Sequence, residues 1–266
     1  MSPDETQLAV EVLDGARGLE DIWVWDLARN LGSRFTFENG DALDPVWLPD
    51  GAGLVFSKAT STGWDLYLKR FGGGSVDSVL LASAEQKVGC NWSPDGRTLL
   101  YYSRGASSAR RWDVFALTLG ERPRPLVATE FIEYGPRISP DGQLFAYTSW
   151  ESGKEEVYVQ SFGAGGGKWR ISTEGGREPQ WRGDGRELFY VTRGRQLFGV
   201  SVEPGPKFSL PTRLFDAAAM IPEVNLRNRY VVTRDGQKFL IVTQQGVTKL
   251  GATTVVLDWL AAHGQH

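Results

Sequence analysis

Cysteine occurs once, at Cys90, and histidine only at His263 and His266. One cysteine permits no intramolecular disulfide, so nothing here requires an oxidising compartment. Both histidines fall at the terminus, where chains are usually disordered, which argues against a buried imidazole base or an imidazole-bound metal. No apolar run approaches the roughly 18–20 residues that span a bilayer. Met1-Ser2-Pro3-Asp4-Glu5 has neither the basic leader nor the apolar core of a signal peptide. A net charge of −3 gives no strongly basic face for nucleic acid. The expectation is a soluble chain without nucleic-acid partners or membrane insertion. As it stands it reads as cytoplasmic; cut from a longer membrane-anchored parent, it would be periplasmic or otherwise extracytoplasmic.

Catalytic signatures are equally sparse. The stretch Gly163-Ala164-Gly165-Gly166-Gly167-Lys168-Trp169 ends in lysine, but a phosphate loop needs Gly-x-x-x-x-Gly-Lys-Ser/Thr. Phe162 stands where the first glycine should be and Trp169 where the hydroxyl should be, so it reads as an interstrand loop. No Gly-x-Ser-x-Gly elbow occurs. Cys90, beside Trp92 on an expected inner strand, reads as a packed structural thiol.

What the chain has is a repeated phrase. Ser93-Pro94-Asp95-Gly96 recurs as Ser2-Pro3-Asp4, Leu48-Pro49-Asp50-Gly51 and Ser139-Pro140-Asp141-Gly142, then decays to Gly183-Asp184-Gly185 and Arg234-Asp235-Gly236. Proline presets φ for a tight turn, aspartate bonds the backbone two residues on, and glycine accepts positive φ. The aspartates at 4, 50, 95, 141, 184 and 235 are spaced by 46, 45, 46, 43 and 51 residues. A period of roughly 40–50 residues with several short strands per unit is the signature of propeller blades. Long 3.6-period apolar faces, which helical repeats would need, are not found.

Alternation and turn signals predict an all-β, six-bladed β-propeller of four-stranded antiparallel blades. The blades cover about residues 2–40, 41–84, 85–130, 131–175, 176–218 and 219–260 of one domain spanning 1–266. Unit one reads Gln7–Leu13, Asp21–Leu27 and Arg34–Phe37. Unit two reads Asp44–Leu48, Gly53–Lys58, Trp64–Arg70 and Asp77–Ala82, and unit three Val88–Ser93, Arg97–Ser103, Arg111–Leu119 and Arg124–Ala128. Unit four reads Tyr134–Ile138, Gln143–Ser149, Glu155–Ser161 and Lys168–Ser172. Unit five reads Glu178–Arg182, Arg186–Thr192, Arg195–Val202 and Thr212–Phe215; unit six reads Arg227–Thr233, Gln237–Thr243 and Ala252–Trp259. That makes about 22 strands, unit one lacking its inner strand and unit six its outer one. Third strands share an acidic signature, Asp21-Ile22-Trp23, Asp65-Leu66-Tyr67, Asp113-Val114-Phe115 and Glu156-Val157-Tyr158. Alternation puts the acid on one face and the large side chain in the interblade layer.

Trp92-Ser93-Pro94-Asp95-Gly96-Arg97, Asp65-Leu66-Tyr67-Leu68 and Glu156-Val157-Tyr158-Val159-Gln160-Ser161-Phe162 resemble the PD40 (TolB-like) propeller repeat. More closely, the chain resembles the six-bladed propellers that follow bacterial serine/threonine kinase domains, over Asp21–Ala28, Pro45–Phe56, Gly163–Gly176, Trp181–Tyr190 and Thr254–Trp259. In that family more sequence precedes the first Ser-Pro-Asp and supplies the strands missing here. No Gly-rich nucleotide loop on a strand, His-Arg-Asp or Asp-Phe-Gly of a kinase is present. The chain therefore reads as an excised or internally started propeller. Its open edges, Gln7–Leu13 and the outermost strand of unit six, are expected either to be bridged by Ala252–Trp259 or to pair two copies as a homodimer.

Registering the units on their turns brings one constellation together. Asp44 and Glu178 share a position just before a proline, with Gly89 and Gly135 their equivalents; one step outward come Lys87, Glu133 and Arg227, with Asn228 between. Asp44, Glu133, Glu178 and Asn228 would then offer oxygen ligands at one mouth of a central channel, suited to Ca²⁺, Mg²⁺ or Mn²⁺. Such an ion would polarise an ester or phosphoryl oxygen without any histidine. The competing reading leaves these acids solvated and paired with Lys87, Arg137, Arg177 and Arg227. The repeated turn aspartates read as structural.

Three functions follow. The first is a binding or scaffold module recognising a protein, peptide or small ligand at a channel mouth, as the resemblance implies, with Trp150 and Arg110-Arg111 as exposed contacts. The second is a metal-assisted hydrolase of lactones, esters or phosphotriesters. The third is a folded fragment, idle without its parent chain.

Overall fold

A computed structural model describes residues 1–37, 40–72, 77–105, 111–163, 166–221, 228–244 and 253–255, with only the backbone for Gln244 and the last three. The chain forms two compact units, Met1–Glu130 and Phe131–His266. The division falls where blades three and four are expected to meet.

The first unit holds three antiparallel meanders. They are β1 (Gln7–Asp14), β2 (Leu19–Asp26) and β3 (Leu31–Arg34); β4 (Ala42–Trp47), β5 (Gly53–Ala59), β6 (Trp64–Arg70) and β7 (Ser78–Leu81); β8 (Gln86–Trp92), β9 (Thr98–Arg104), β10 (Asp113–Thr118) and β11 (Arg124–Val127). The second unit holds β12 (Glu133–Ile138), β13 (Leu144–Ser149), β14 (Glu156–Ser161) and β15 (Lys168–Arg170); then β16 (Arg177–Trp181), β17 (Glu187–Val191), β18 (Gln196–Glu203), β19 (Lys207–Phe208) and β20 (Thr212–Asp216); then β21 (Tyr230–Val232), β22 (Phe239–Gln244) and β23 (Thr253–Val255). Each expected strand overlaps a counterpart, Arg34–Phe37 only at Arg34 because β3 ends there, and among the described residues the first and last blades have three strands each. Arg227, Ala252 and residues 256–259 lie outside the described residues. β19 was not foreseen: it is a two-residue hairpin return on the end of β18, too short to leave a pattern. No helix among the described residues is long and apolar enough to cross a membrane.

The turn phrase earns its recurrence through hydrogen bonds. Ser93 Oγ donates to Asp95 Oδ1 at 2.5 Å and accepts from Thr98 N–H at 2.9 Å, while Arg97 N–H donates to Asp95 at 3.1 Å. Ser139-Asp141 and Thr233-Asp235 repeat the pattern. Gly96 sits at φ 68°, and a β-carbon there would lie 3.4 Å from Pro49 of the preceding turn. At Gly185 (φ 72°) the same position would meet Pro140 at 3.6 Å. Within each unit these turns therefore pack on the one before, and the phrase there is constrained by its neighbour as well as by its own geometry.

Beyond the turn, second and third strands carry a cross-strand aromatic pair six residues past the turn aspartate. Phe56–Tyr67, Tyr101–Phe115, Tyr147–Tyr158 and Tyr190–Phe198 stack with centroids 6.2, 5.4, 6.0 and 5.4 Å apart, a pairing that supports a strand register by about 0.2–1 kcal/mol. Adjacent blades bury their apolar faces against each other. One such layer gathers Ile22, Phe35, Trp47 and Phe56; another gathers Val55, Leu66, Trp92 and Tyr101. The second unit repeats this with Val157, Ile171, Leu188 and Tyr190, and with Phe189, Leu197, Phe215 and Phe239.

The third-strand acids are anchors. Asp21 accepts from Thr36 Oγ1 at 3.2 Å, Asp65 from Ser83 N–H at 3.1 Å, and Glu156 from Ser172 Oγ. Thr36 and Ser172 in turn accept the N–H of Ile22 and Val157 at 2.9 and 2.8 Å. Asp21, Asp65 and Glu156 are buried and Asp113 is half-buried, while Ile22, Leu66, Val114 and Val157, which follow the four signature acids, are fully buried. The signature thus ties the third strand to the segment after the outer one.

A hydroxyl (on Asp4, Asp95 and Asp235) or a backbone N–H (on Asp50 and Asp184) holds these turn carboxyls below their usual range. Stabilisation by a group with a lowered folded pKa is complete above its unfolded value, about 3.9, and is lost as pH falls through the folded value. Urea unfolding should therefore give a midpoint that declines as pH falls below about 4. A midpoint rising over that acid range would contradict this role.

Candidate functional site

The inner strands β4, β8, β12 and β16 each slip register close to their start. The breaks lie between Leu43 and Val46, Gly89 and Asn91, Tyr134 and Arg137, and Arg177 and Gln180. Such a bulge re-aims side chains at the end of a strand. In three of the four, the residue before a proline takes left-handed φ: 54° at Asp44, 62° at Gly135 and 56° at Glu178. Glycine does this freely, whereas an acidic residue there costs on the order of 1–3 kcal/mol. Both acidic positions engage a neighbouring blade.

Glu178 shows the stronger grip. It is 3% exposed, and Arg229 of the last blade is 2% exposed. Glu178 Oε1 accepts from Arg229 Nε at 2.8 Å and lies 2.6 Å from Nη2, while Oε2 accepts the Arg229 backbone N–H at 2.7 Å. Tyr230 Oη donates to the Glu178 carbonyl at 2.8 Å. Burial pushes the Glu178 carboxyl above its ordinary value, and Arg229 opposes that push. Sequence reasoning missed Arg229. Counting six residues back from Asp235, the offset of Glu178 from Asp184, lands on it, two positions past Arg227. Asn228 is exposed, and Arg227 lies outside the described residues.

Beside this clasp, Glu155 gathers a second set. It accepts from Tyr134 Oη at 2.7 Å and Arg193 Nε at 2.9 Å, with Arg177 Nη1 at 3.5 Å. The Arg193 side chain is 66% exposed, and its guanidinium lies 5.2 Å from the Trp150 ring centroid. Trp150 and Arg193 each follow the second strand of their blades at the same offset from the turn. Glu133 is fully buried on β12, with Ser149 Oγ donating to it at 3.3 Å.

In the first unit, the Asp44 N–H donates to Glu11 Oε1 at 2.6 Å, joining blades one and two. Lys87 is 1% exposed, and its Nζ donates to Asp65 Oδ1 at 3.1 Å and to the carbonyls of Glu85, Ser83 and Trp64 at 2.9, 3.0 and 3.4 Å. Three carbonyls and a carboxylate thus cage one ammonium.

Glu133, Glu178 and Lys87 are therefore buried rather than solvated, and the partners of Glu178 and Lys87 are protein groups. The reason is their place: these strand starts are packed under neighbouring blades, where an isolated charge is costly unless paired. The residues named for Ca²⁺, Mg²⁺ or Mn²⁺ do not fit an ion that wants about six converging oxygens. Glu178 is clasped by Arg229 and Asn228 is exposed. No three His, Cys, Asp or Glu side chains among the described residues gather as a metal would require.

No family model matches the chain, and no curated protein matches it. Solved structures do. TolB from Acinetobacter baumannii superposes with a TM-score of 0.71 at 16% identity, over 91% of this chain and 59% of that one. The putative TolB from Agrobacterium tumefaciens gives 0.64 at 18% identity, over 80% of this chain and 79% of that one. The β-propeller domain of Myceliophteria thermophila Cps50 (Swd1) gives 0.65 at 12% identity, over 96% and 83%. The chain spans about 59% of the length of the Acinetobacter protein. At these identities the likeness establishes the fold: an all-β, TolB-like β-propeller of four-stranded antiparallel blades.

Removing one partner of a buried pair leaves the other uncompensated. Arg229→Met should lower unfolding free energy by about 3–5 kcal/mol, and Glu178→Gln with Arg229→Met should recover much of that loss. Equal loss in the single and double variants by urea unfolding would contradict the clasp.

Proposed function

We propose that the chain is a propeller binding module that recruits a protein, peptide or small ligand rather than a catalyst. The observation that carries this reading is the engagement of the buried charges Glu178, Glu155 and Lys87 by groups of the protein itself. A group clasped in this way is a poor candidate for activating water or binding a metal. The Trp150–Arg193 stack is different: it rises from the Glu155 network with its guanidinium largely exposed. An aromatic face with a fixed cation suits a carboxylate or acidic side chain carried on an apolar body. Arg111 is exposed and belongs to the same proposed surface class, while Arg110 lies outside the described residues. The resemblance to propellers that follow kinase domains, and the TolB-like fold, both agree with a recruiting role. The metal-assisted hydrolase is the less favoured reading because its named donors do not fit an ion.

Two measurements test this reading. Purified protein with added Ca²⁺, Mg²⁺ or Mn²⁺ should turn over esters, lactones and phosphotriesters no faster than buffer. Chelator-sensitive turnover that disappears in Glu178→Gln would overturn the module. Peptides selected on the protein from a display library should bind about tenfold more weakly to Trp150→Ala and Arg193→Ala, the size expected for loss of one cation–π or charged contact. Unchanged binding in both variants would remove the Trp150 face from the proposal.

A further inference from the structure

Trp150 and Arg193 each sit on a hydrogen-bonded turn at the end of a second strand. At the first turn, Trp150 N–H donates to the Ile132 carbonyl at 3.1 Å, and the Trp150 carbonyl accepts Gly153 N–H at 2.9 Å. At the second, Arg195 N–H closes on the Thr192 carbonyl at 2.9 Å, with Arg193 at the first corner. Thr192 N–H donates to the Gln196 carbonyl at 3.0 Å, and Arg195 takes a left-handed φ of 62°. That is the form of a three-residue hairpin loop, so the Arg193 backbone is fixed.

The guanidinium on this frame is held along one side only. Nε donates to Glu155 Oε2 at 2.9 Å, and the group lies 5.2 Å from the Trp150 ring centroid. Among the described residues no acceptor engages its two Nη atoms, and the side chain is 66% exposed. The paired N–H groups on the Nη edge of a fixed guanidinium match the two oxygens of a carboxylate. Because the turn, the ring and Glu155 already restrain it, Arg193 has little freedom left to lose on binding.

Resting on the reading of the Trp150 face as the recruiting surface, we propose that the Nη edge of Arg193 binds one peptide carboxylate and discriminates against a phosphate dianion. Glu155 is the positioning residue: it aims the fork from behind without touching the ligand. Charge selects between the two anions. Glu155 lies between Arg193 at 2.9 Å and Arg177 at 3.5 Å, so one added negative charge brings these three groups to neutrality. A second charge exceeds it and faces a carboxylate only 5% exposed, where repulsion is poorly screened. The nearest acids along the chain leave this balance unchanged, because Glu151 pairs with Lys168 and Glu156 with Lys154. The carboxylate comes from an acidic side chain or a chain terminus, both of which carry the same single charge.

The test uses the full chain with benzoate and phenyl phosphate as probes, followed by NMR at the Arg193 Nε–H and the Trp150 indole N–H. At about pH 8, where the phosphate is a dianion, benzoate should shift both signals to saturation and phenyl phosphate should bind about tenfold more weakly. Arg193→Lys keeps the charge but not the fork, and should weaken benzoate about tenfold. Glu155→Gln keeps an acceptor for Nε but removes the charge, and should bring phenyl phosphate within about twofold of benzoate. Equal weakening of both probes in that variant would make Glu155 merely structural and overturn the charge selection. Phenyl phosphate binding the native chain as tightly as benzoate, or no shift at either signal, would overturn the proposal. A capped dipeptide with a free terminus and another with a glutamate side chain and an amidated end separate the two sources, and binding of either supports a carboxylate. Display-selected peptides that need Trp150 and Arg193 but bind equally well with every carboxylate amidated would overturn the carboxylate and leave the binding module standing. Peptides indifferent to both variants would remove the face itself, and this ligand with it.

Discussion

A blade in this chain packs its sheet against neighbouring blades, so polar groups at the strand starts have little water to turn to. That constraint accounts for the clasps found there. Glu178 is satisfied by Arg229, Glu155 by Tyr134, Arg177 and Arg193, and the Asp44 N–H by Glu11. Lys87 draws on the Asp65 carboxylate and the Trp64 and Ser83 carbonyls of the blade before it, and on the Glu85 carbonyl of its own. Apart from Glu155–Tyr134 and Lys87–Glu85, which lie within a blade, these links join one blade to the next. They supply direction that the apolar layers, being non-directional, do not.

The same constraint separates structure from chemistry. A left-handed acidic residue before proline, such as Asp44 or Glu178, is the kind of strained position that often marks a reactive site. Here the strain coincides with a bulge that proline makes inexpensive, since no ladder bond is available at that residue. What the strain accomplishes is aim. It points the Glu178 carboxylate at the next blade and presents the Asp44 N–H to Glu11. The group left toward solvent is of another type: a half-buried tryptophan under an exposed arginine.

Much of this was legible in the sequence, and the reasons are specific. The turn phrase is local, so its residues declare their roles without tertiary knowledge, and its spacing alone sets blade number and strand order. Alternation between turns places nearly every strand. What was not legible depends on who faces whom across a blade boundary. The turn register puts Arg229 at the position equivalent to Glu178, but that the two side chains meet depends on how one blade packs on the next. The burial of Lys87 and Glu133 could not be read, because charged residues at a strand start look solvated until the neighbouring blade is placed. The two-residue return at Lys207–Phe208 leaves no periodic trace at all.

The most direct discrimination between a structural clasp and a chemical site is an NMR titration of the protein with Mn²⁺, following the Arg229 Nε–H and the side-chain carboxyl carbons of Glu133 and Glu178. Structural pairing predicts a slowly exchanging Arg229 Nε–H, with all three signals unbroadened at stoichiometric metal. Selective broadening of Glu133 and Glu178 at one equivalent, with release of the Arg229 proton to fast exchange, would contradict it.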